Sequence, residues 1–224
     1  MIAQIQSYIS RRKYEFLVVS FLILIFGDTF SGALCLAVLL PLQNMVIALI
    51  AFYPLKWLRL LLGTLITLVI LVTLFNCCYF TQLGAGILCS IFFAYFAVIA
   101  VKVYQTILSN RFISSEMIAA TFCGFVLLCL AGAIVFITIA VNYPGSFSNI
   151  SIGVNRFKNL TYFSFTTLLT IGYGDIVPTT LVAKRAVMLM GLVGHFYTVV
   201  LTGIIIGKYI RGGFDLDEQP KVSL

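Results

Sequence analysis

Charge is what this sequence has least of. Only 9% of its 224 residues are Asp, Glu, Lys or Arg, where soluble domains carry roughly a quarter, so a water-soluble fold is excluded on composition. Acidic residues are the scarcer sign, seven against 14 basic ones, and none lies deep within the first four long apolar runs. His195 is the sole histidine. An enzyme working inside a membrane needs an acid, a base, a metal cluster or a nucleophile with its activator, and these absences leave no such set. The cysteines Cys35, Cys77, Cys78, Cys89, Cys123 and Cys129 all fall inside apolar stretches, without histidines at metal-ligand spacing. They read as free thiols in a core or facing lipid. Despite a net charge of +7, no basic run is sustained or interleaved with aromatics, which argues against nucleic acid as a partner. No A-x-A site follows the first apolar run, so a cleaved signal peptide is not expected.

What the chain has instead is apolar sequence, 62% of it, with a mean hydropathy of +1.13. A polytopic membrane protein in a lipid bilayer follows. Six runs stand out: Phe16 to Phe26, Ala33 to Tyr53, Trp57 to Phe80, Gly84 to Leu108, Met117 to Val141 and Arg185 to Ile210. The first is short against the roughly 17 residues a spanning helix needs, and Pro41, Gln43 and Asn44 interrupt the second. Between the fifth and sixth runs lies a more polar stretch, in which Leu160 to Thr170 reads as a short helix entering the membrane and turning back.

That turn contains Thr167-Leu168-Leu169-Thr170-Ile171-Gly172-Tyr173-Gly174-Asp175. The nine residues resemble the signature T-x-x-T-x-G-Y-G-D of the tetrameric pore-loop potassium channels, and the chain resembles their six-span type over its whole plan. The resemblance is strongest from Met117 to Arg211; the first four runs match in number and placement only. It implies that Thr170, Ile171, Gly172, Tyr173 and Gly174 each direct a backbone carbonyl at a shared axis, replacing the hydration shell of potassium. The Thr170 hydroxyl adds a last ring. One chain supplies only one oxygen per ring, so three identical subunits complete the cage, and no cofactor is implied beyond the permeant ion. Successive carbonyls can face one way only if backbone dihedrals alternate, and Gly172 and Gly174 enter the left-handed region at little steric cost. Tyr173 is expected to pack behind the filter.

Around the filter, Tyr162 and Phe163 are expected to form an aromatic cuff. Thr167 opens the signature, and Asp175 closes the outer mouth, where it could hydrogen-bond back to the short helix. Thr166 stands where some relatives carry a glutamate that binds the aspartate. The partly negative C-terminal ends of four such helices would favour a cation at the membrane centre. In the last run, Gly194 is placed where simple potassium channels have a hinge glycine, and hinge and close packing both remain open for it. His195, Thr198, Thr202 and Ile206 share one helical face, a polar stripe suited to the wall of a water-filled cavity.

Voltage sensing departs from the pattern. A sensor needs several basic residues at every third position of the fourth span, and only Lys102 lies there. The expected organisation is a four-helix peripheral domain (1–114), a pore domain (115–211) and a short cytoplasmic tail (212–224), all α-helical, with six transmembrane helices and a reentrant pore helix. An even number of spans puts Arg11, Arg12, Lys13, Lys56, Arg59, Arg111, Lys208 and Arg211 on the cytoplasmic side with both termini, as basic residues prefer. Arg156, Lys158, Lys184 and Arg185, at the pore mouth, are exceptions. Residues 142–159 read as an extracellular turret, whose Asn149-Ile-Ser and Asn159-Leu-Thr triplets carry no weight as glycosylation sites. A potassium transporter subunit and a non-conducting subunit of the same fold are the rival readings.

Overall fold

The computed structural model describes residues 12–27, 36–79, 82–109, 115–150 and 155–217. They form seven helices: α1 (Lys13–Phe26), α2 (Leu36–Ala51), α3 (Lys56–Tyr79), α4 (Gln82–Ser109), α5 (Ser115–Asn142), α6 (Asn155–Leu168) and α7 (Leu181–Asp217). Arg11, Asp28, Cys35 and Arg111 lie outside the described residues, as do the side chains of Cys77, Cys78 and Arg211.

Among the described residues, four helices are long and apolar enough to cross a membrane, over Lys56–Phe75, Gly86–Ser109, Glu116–Asn142 and Leu181–Lys208. α1 and α2 are shorter, at 14 and 16 residues, or about 21 and 24 Å of helix. The expected short helix also differs at its ends, starting at Asn155 and stopping at Leu168. α7 begins at Leu181, ahead of the expected Arg185, because the Thr180 hydroxyl caps it by accepting a hydrogen bond from the Ala183 N–H at 3.4 Å. It then runs on to Asp217, into the segment read as a tail.

α5 is the hub. It packs against α1, α4, α6 and α7, while α2 and α3 close a chain of neighbours from α1 round to α4. Of the apolar stretch of α5, 56% is buried, against 17%, 28% and 22% in α3, α4 and α7. Those three helices leave most of their apolar surface uncovered, as lipid-facing or copy-facing helices would.

The polar residues interrupting α2 point inward. Asn44, fully buried, donates its amide to Ser20 Oγ of α1 at 2.8 Å and accepts the Tyr95 hydroxyl of α4 at 2.6 Å. Gln43 donates to the same Ser20 Oγ at 3.2 Å. Three helices are thereby tied at one buried knot. Basic residues gather at one end of the bundle. Lys13 pairs with Glu116 at 2.9 Å, Lys102 sits 4.8 Å above the Trp57 ring, and the Tyr14 hydroxyl bonds both Thr106 and the Lys102 carbonyl. The N-terminal ends of α1, α3 and α5 therefore meet the C-terminal end of α4. Of the cysteines whose side chains are described, Cys123 and Cys129 are buried free thiols and Cys89 is a half-buried one.

Candidate functional site

α6 is the least apolar of the seven helices, and specific contacts help to set its position. Ser164 donates to the Cys129 carbonyl of α5 at 2.6 Å, where Gly132 leaves room for its hydroxyl. Phe163 is buried in a triad with Phe136 and Phe147, the ring centroids 5.3 to 5.8 Å apart. Such clusters prefer tilted and edge-on geometries of this kind. The Phe163 side chain thus packs toward α5 and the segment after it.

The helix ends in a way that builds the next loop. The Ile171 N–H bonds the Thr166 carbonyl at 2.9 Å and the Thr170 N–H bonds the Thr167 carbonyl at 3.1 Å, with Thr170 left-handed at φ 59°. These are the two bonds and the left-handed residue of a Schellman cap, in which glycine is usual at the left-handed position. A β-branched threonine there costs about 1–2 kcal/mol. Gly172 N–H adds a third bond to the Thr166 carbonyl at 3.2 Å. Left-handed φ then recurs at Gly172 (57°) and Gly174 (80°), while Ile171 and Tyr173 between them are not left-handed. Alternation of this kind is the backbone condition for carbonyls that point to one side.

Outside the loop, a second set of bonds holds the chain. Asn149, itself left-handed at φ 56°, donates its side-chain amide to the Asp175 carbonyl at 2.8 Å. Ser148 N–H donates to the Val177 carbonyl at 2.9 Å, and Thr179 N–H to the Ser146 carbonyl at 2.9 Å. Phe147 and Pro178 form an isolated antiparallel bridge. The Tyr162 hydroxyl hydrogen-bonds the Asp175 carboxylate. Thr166 makes no such tether; its hydroxyl donates back to the Phe163 carbonyl at 3.1 Å. The aspartate is therefore held by the tyrosine of α6.

Residues 170–175 are all exposed in the single chain, and Tyr173 keeps 71% of its surface. Within one copy Tyr173 is thus not packed behind the loop. Gly194 is buried with its Cα face against Leu168 at the end of α6, where an added Cβ would come within 3.0 to 3.3 Å of that side chain. Close approach of α7 to α6 requires a residue this small. His195, Thr198, Thr202 and Ile206 are all exposed on one face of α7, opposite the buried Tyr197 and Leu201. Thr198 and Thr202 donate to carbonyls one turn back, those of Gly194 at 3.0 Å and Thr198 at 2.8 Å, the usual resting state of a hydroxyl on an apolar helix.

Sequence reasoning missed Ser148, Asn149, Ser164, Gly124 and Tyr197. Only Asn149 carried a local signal, since asparagine tolerates left-handed backbone better than most residues. Comparison with known proteins adds one finding: residues 124–211, from the third turn of α5 through α6, the loop and most of α7, match the family model described as ion channel. No curated protein and no solved structure matches the chain. Over those residues the chain is similar to ion channels, and among the described residues its apolar helices are long enough to cross a membrane.

Proposed function

We propose, from that match as premise, that four copies of this chain form a potassium-selective channel, with residues 170–174 of each copy around one axis. The observation that carries the reading is the alternation of left-handed backbone at Thr170, Gly172 and Gly174 on an edge that its own chain leaves uncovered. That alternation allows the carbonyls of this exposed edge to line up on one side, and unsatisfied backbone at membrane depth is costly unless a pore or another chain meets it. Four such edges supply rings of oxygens for a dehydrated cation. Tyr173 then packs against neighbouring copies, and α6 acts as the pore helix with its negative end toward the cavity. The exposed stripe of His195, Thr198, Thr202 and Ile206 lines that cavity.

α1 to α4 form the peripheral domain, and the basic end of the bundle faces the cytoplasm of a plasma membrane, together with both termini. The chain performs passive conduction and no catalysis. Purified protein in liposomes is expected to pass potassium well above sodium, with little voltage dependence, and to run as a tetramer in native mass measurement. Equal flux of the two ions, or a conducting monomer or dimer, would overturn the reading.

A further inference from the structure

α4 and α7 each pack along α5, yet two side chains of α7 reach past α5 to α4. Tyr197 is one. Its hydroxyl donates to the Thr121 carbonyl of α5 at 2.8 Å, and its ring stands edge-on to Tyr104 of α4 with centroids 5.8 Å apart. The passage exists because position 124 of α5 is glycine: a Cβ there would collide with the Tyr197 hydroxyl and come within 3.0 Å of Val103 of α4. Three turns further on, Lys208 donates its ammonium to the Ile107 carbonyl in the last turn of α4, at 2.5 Å. That carbonyl belongs to a helix C-terminus, the partly negative end that favours a cation.

Both ties leave α7 on the same side, away from its exposed apolar face of Leu189, Leu192, Phe196 and Val199. We propose that Tyr197 and Lys208 latch α7 to α4, holding the cytoplasmic half of α7 back from the pore axis and so keeping the conduction path open. The inference rests on the channel reading above, in which the exposed face of α7 borders the axis and the neighbouring copies. Releasing the latch lets that half of α7 swing inward, with Gly203 and Gly207, which have open space around them, in the stretch that would move. α4, which carries too little charge to sense voltage, thereby gains a mechanical role, because whatever displaces it acts on the gate through these two positioning residues. Such coupling needs a two-state element biased by specific contacts, and the latch is one.

The test uses single-channel recording of the purified full-length protein in planar bilayers. Lys208→Met is expected to lower open probability about tenfold, the factor that a hydrogen bond from a charged donor commands. Unit current and the potassium-to-sodium permeability ratio should stay unchanged. Gly124→Ala, which displaces Tyr197, should act in the same direction, and Lys208→Arg, which keeps a cationic donor, should restore wild-type behaviour. An unchanged or raised open probability in Lys208→Met overturns the latch. So does a changed unit current alone, which would put Lys208 on the conduction path. Should the wild type pass no potassium-selective current, the channel reading fails by itself. The latch is then decided by hydrogen exchange: Lys208→Met should speed exchange over residues 203–208 about tenfold, and equal rates would reject it.

Discussion

The loop after α6 and the helices before α5 satisfy their backbones in opposite ways. α1 to α4 are regular helices whose peptide groups bond within each helix, so almost any apolar sequence can cover them, and two polar ties, the knot at Ser20, Asn44 and Tyr95 and the Tyr14 hydroxyl on the end of α4, register three of them. Residues 170–179 have no such internal ladder. Each turn of that segment is tied to a named atom elsewhere, the Thr166 carbonyl below, the Tyr162 hydroxyl behind, and Ser146, Ser148 and Asn149 above. On the proposed reading this irregular backbone lies at membrane depth, where it is tolerated only with such ties. The consequence is that the loop depends on particular residues, whereas the peripheral helices depend on composition.

Substitutions sharpen that contrast, and the largest effect belongs to the loop. Gly172→Ala puts a Cβ on a left-handed residue whose surroundings are open in the single chain. The cost is conformational, about 1–2 kcal/mol per chain and, on the proposed reading, incurred in each of four copies, so potassium flux over sodium should collapse while the helices, followed by circular dichroism, persist. Retained selectivity in liposomes would show that residue 172 is not held left-handed in the working assembly. Next comes the knot. Asn44→Ala removes the shorter acceptor of the Tyr95 hydroxyl and one of two donors to Ser20 Oγ, leaving the Asn44 carbonyl at 3.3 Å and the Gln43 amide at 3.2 Å as their remaining partners, at about 1 kcal/mol. Thermal unfolding should shift downward, yet the surviving protein should select potassium as before. A loss of selectivity would mean that the two regions are not independent.

The same contrast explains what could be read in advance. Long apolar runs announce helices because burial is additive and needs no partner, so α3, α4 and α5 fall where the runs do. The signature Thr167 to Asp175 was legible as a pattern. Its anchors were not: Asn149 and Ser148 lie more than 25 residues before the atoms they hold, and neither periodicity nor propensity encodes that meeting. Gly124 and Gly132 are, in the sequence, two small residues of an apolar helix with no pattern around them. Only the structure shows that each is a notch for one side chain, Tyr197 or Ser164. The start of α6 at Asn155 was obscured by Arg156, Lys158 and Asn159, polar residues that propensity alone would leave in the turret.

A smaller effect tests the tie behind the loop. Tyr162→Phe removes one hydroxyl from a half-exposed pair, and about 1 kcal/mol or less is at stake. Hydrogen exchange over residues 172–176 should quicken severalfold while that of α5 is unchanged. Equal exchange in the loop would mean that Asn149 alone holds Asp175.

The smallest change is expected to have opposite signs in stability and in function. Thr170 is both the left-handed residue of the α6 cap and, on the proposed reading, the donor of the last oxygen ring. Glycine fits the cap better, because it has no Cβ to strain at φ 59°. A threonine kept where glycine is easier is what stored strain at a working site looks like. Thr170→Gly should therefore raise thermal stability by up to about 1 kcal/mol, partly offset by the freer unfolded chain. It should also weaken discrimination between potassium and sodium, since the hydroxyl is gone. Thr170→Ser keeps the hydroxyl and should keep selectivity, with stability close to wild type. Measuring both variants by thermal unfolding and by liposome flux separates the two roles. If Thr170→Gly is less stable than wild type, the cap is not strained at this residue. If it is equally selective, the hydroxyl does not face the ion.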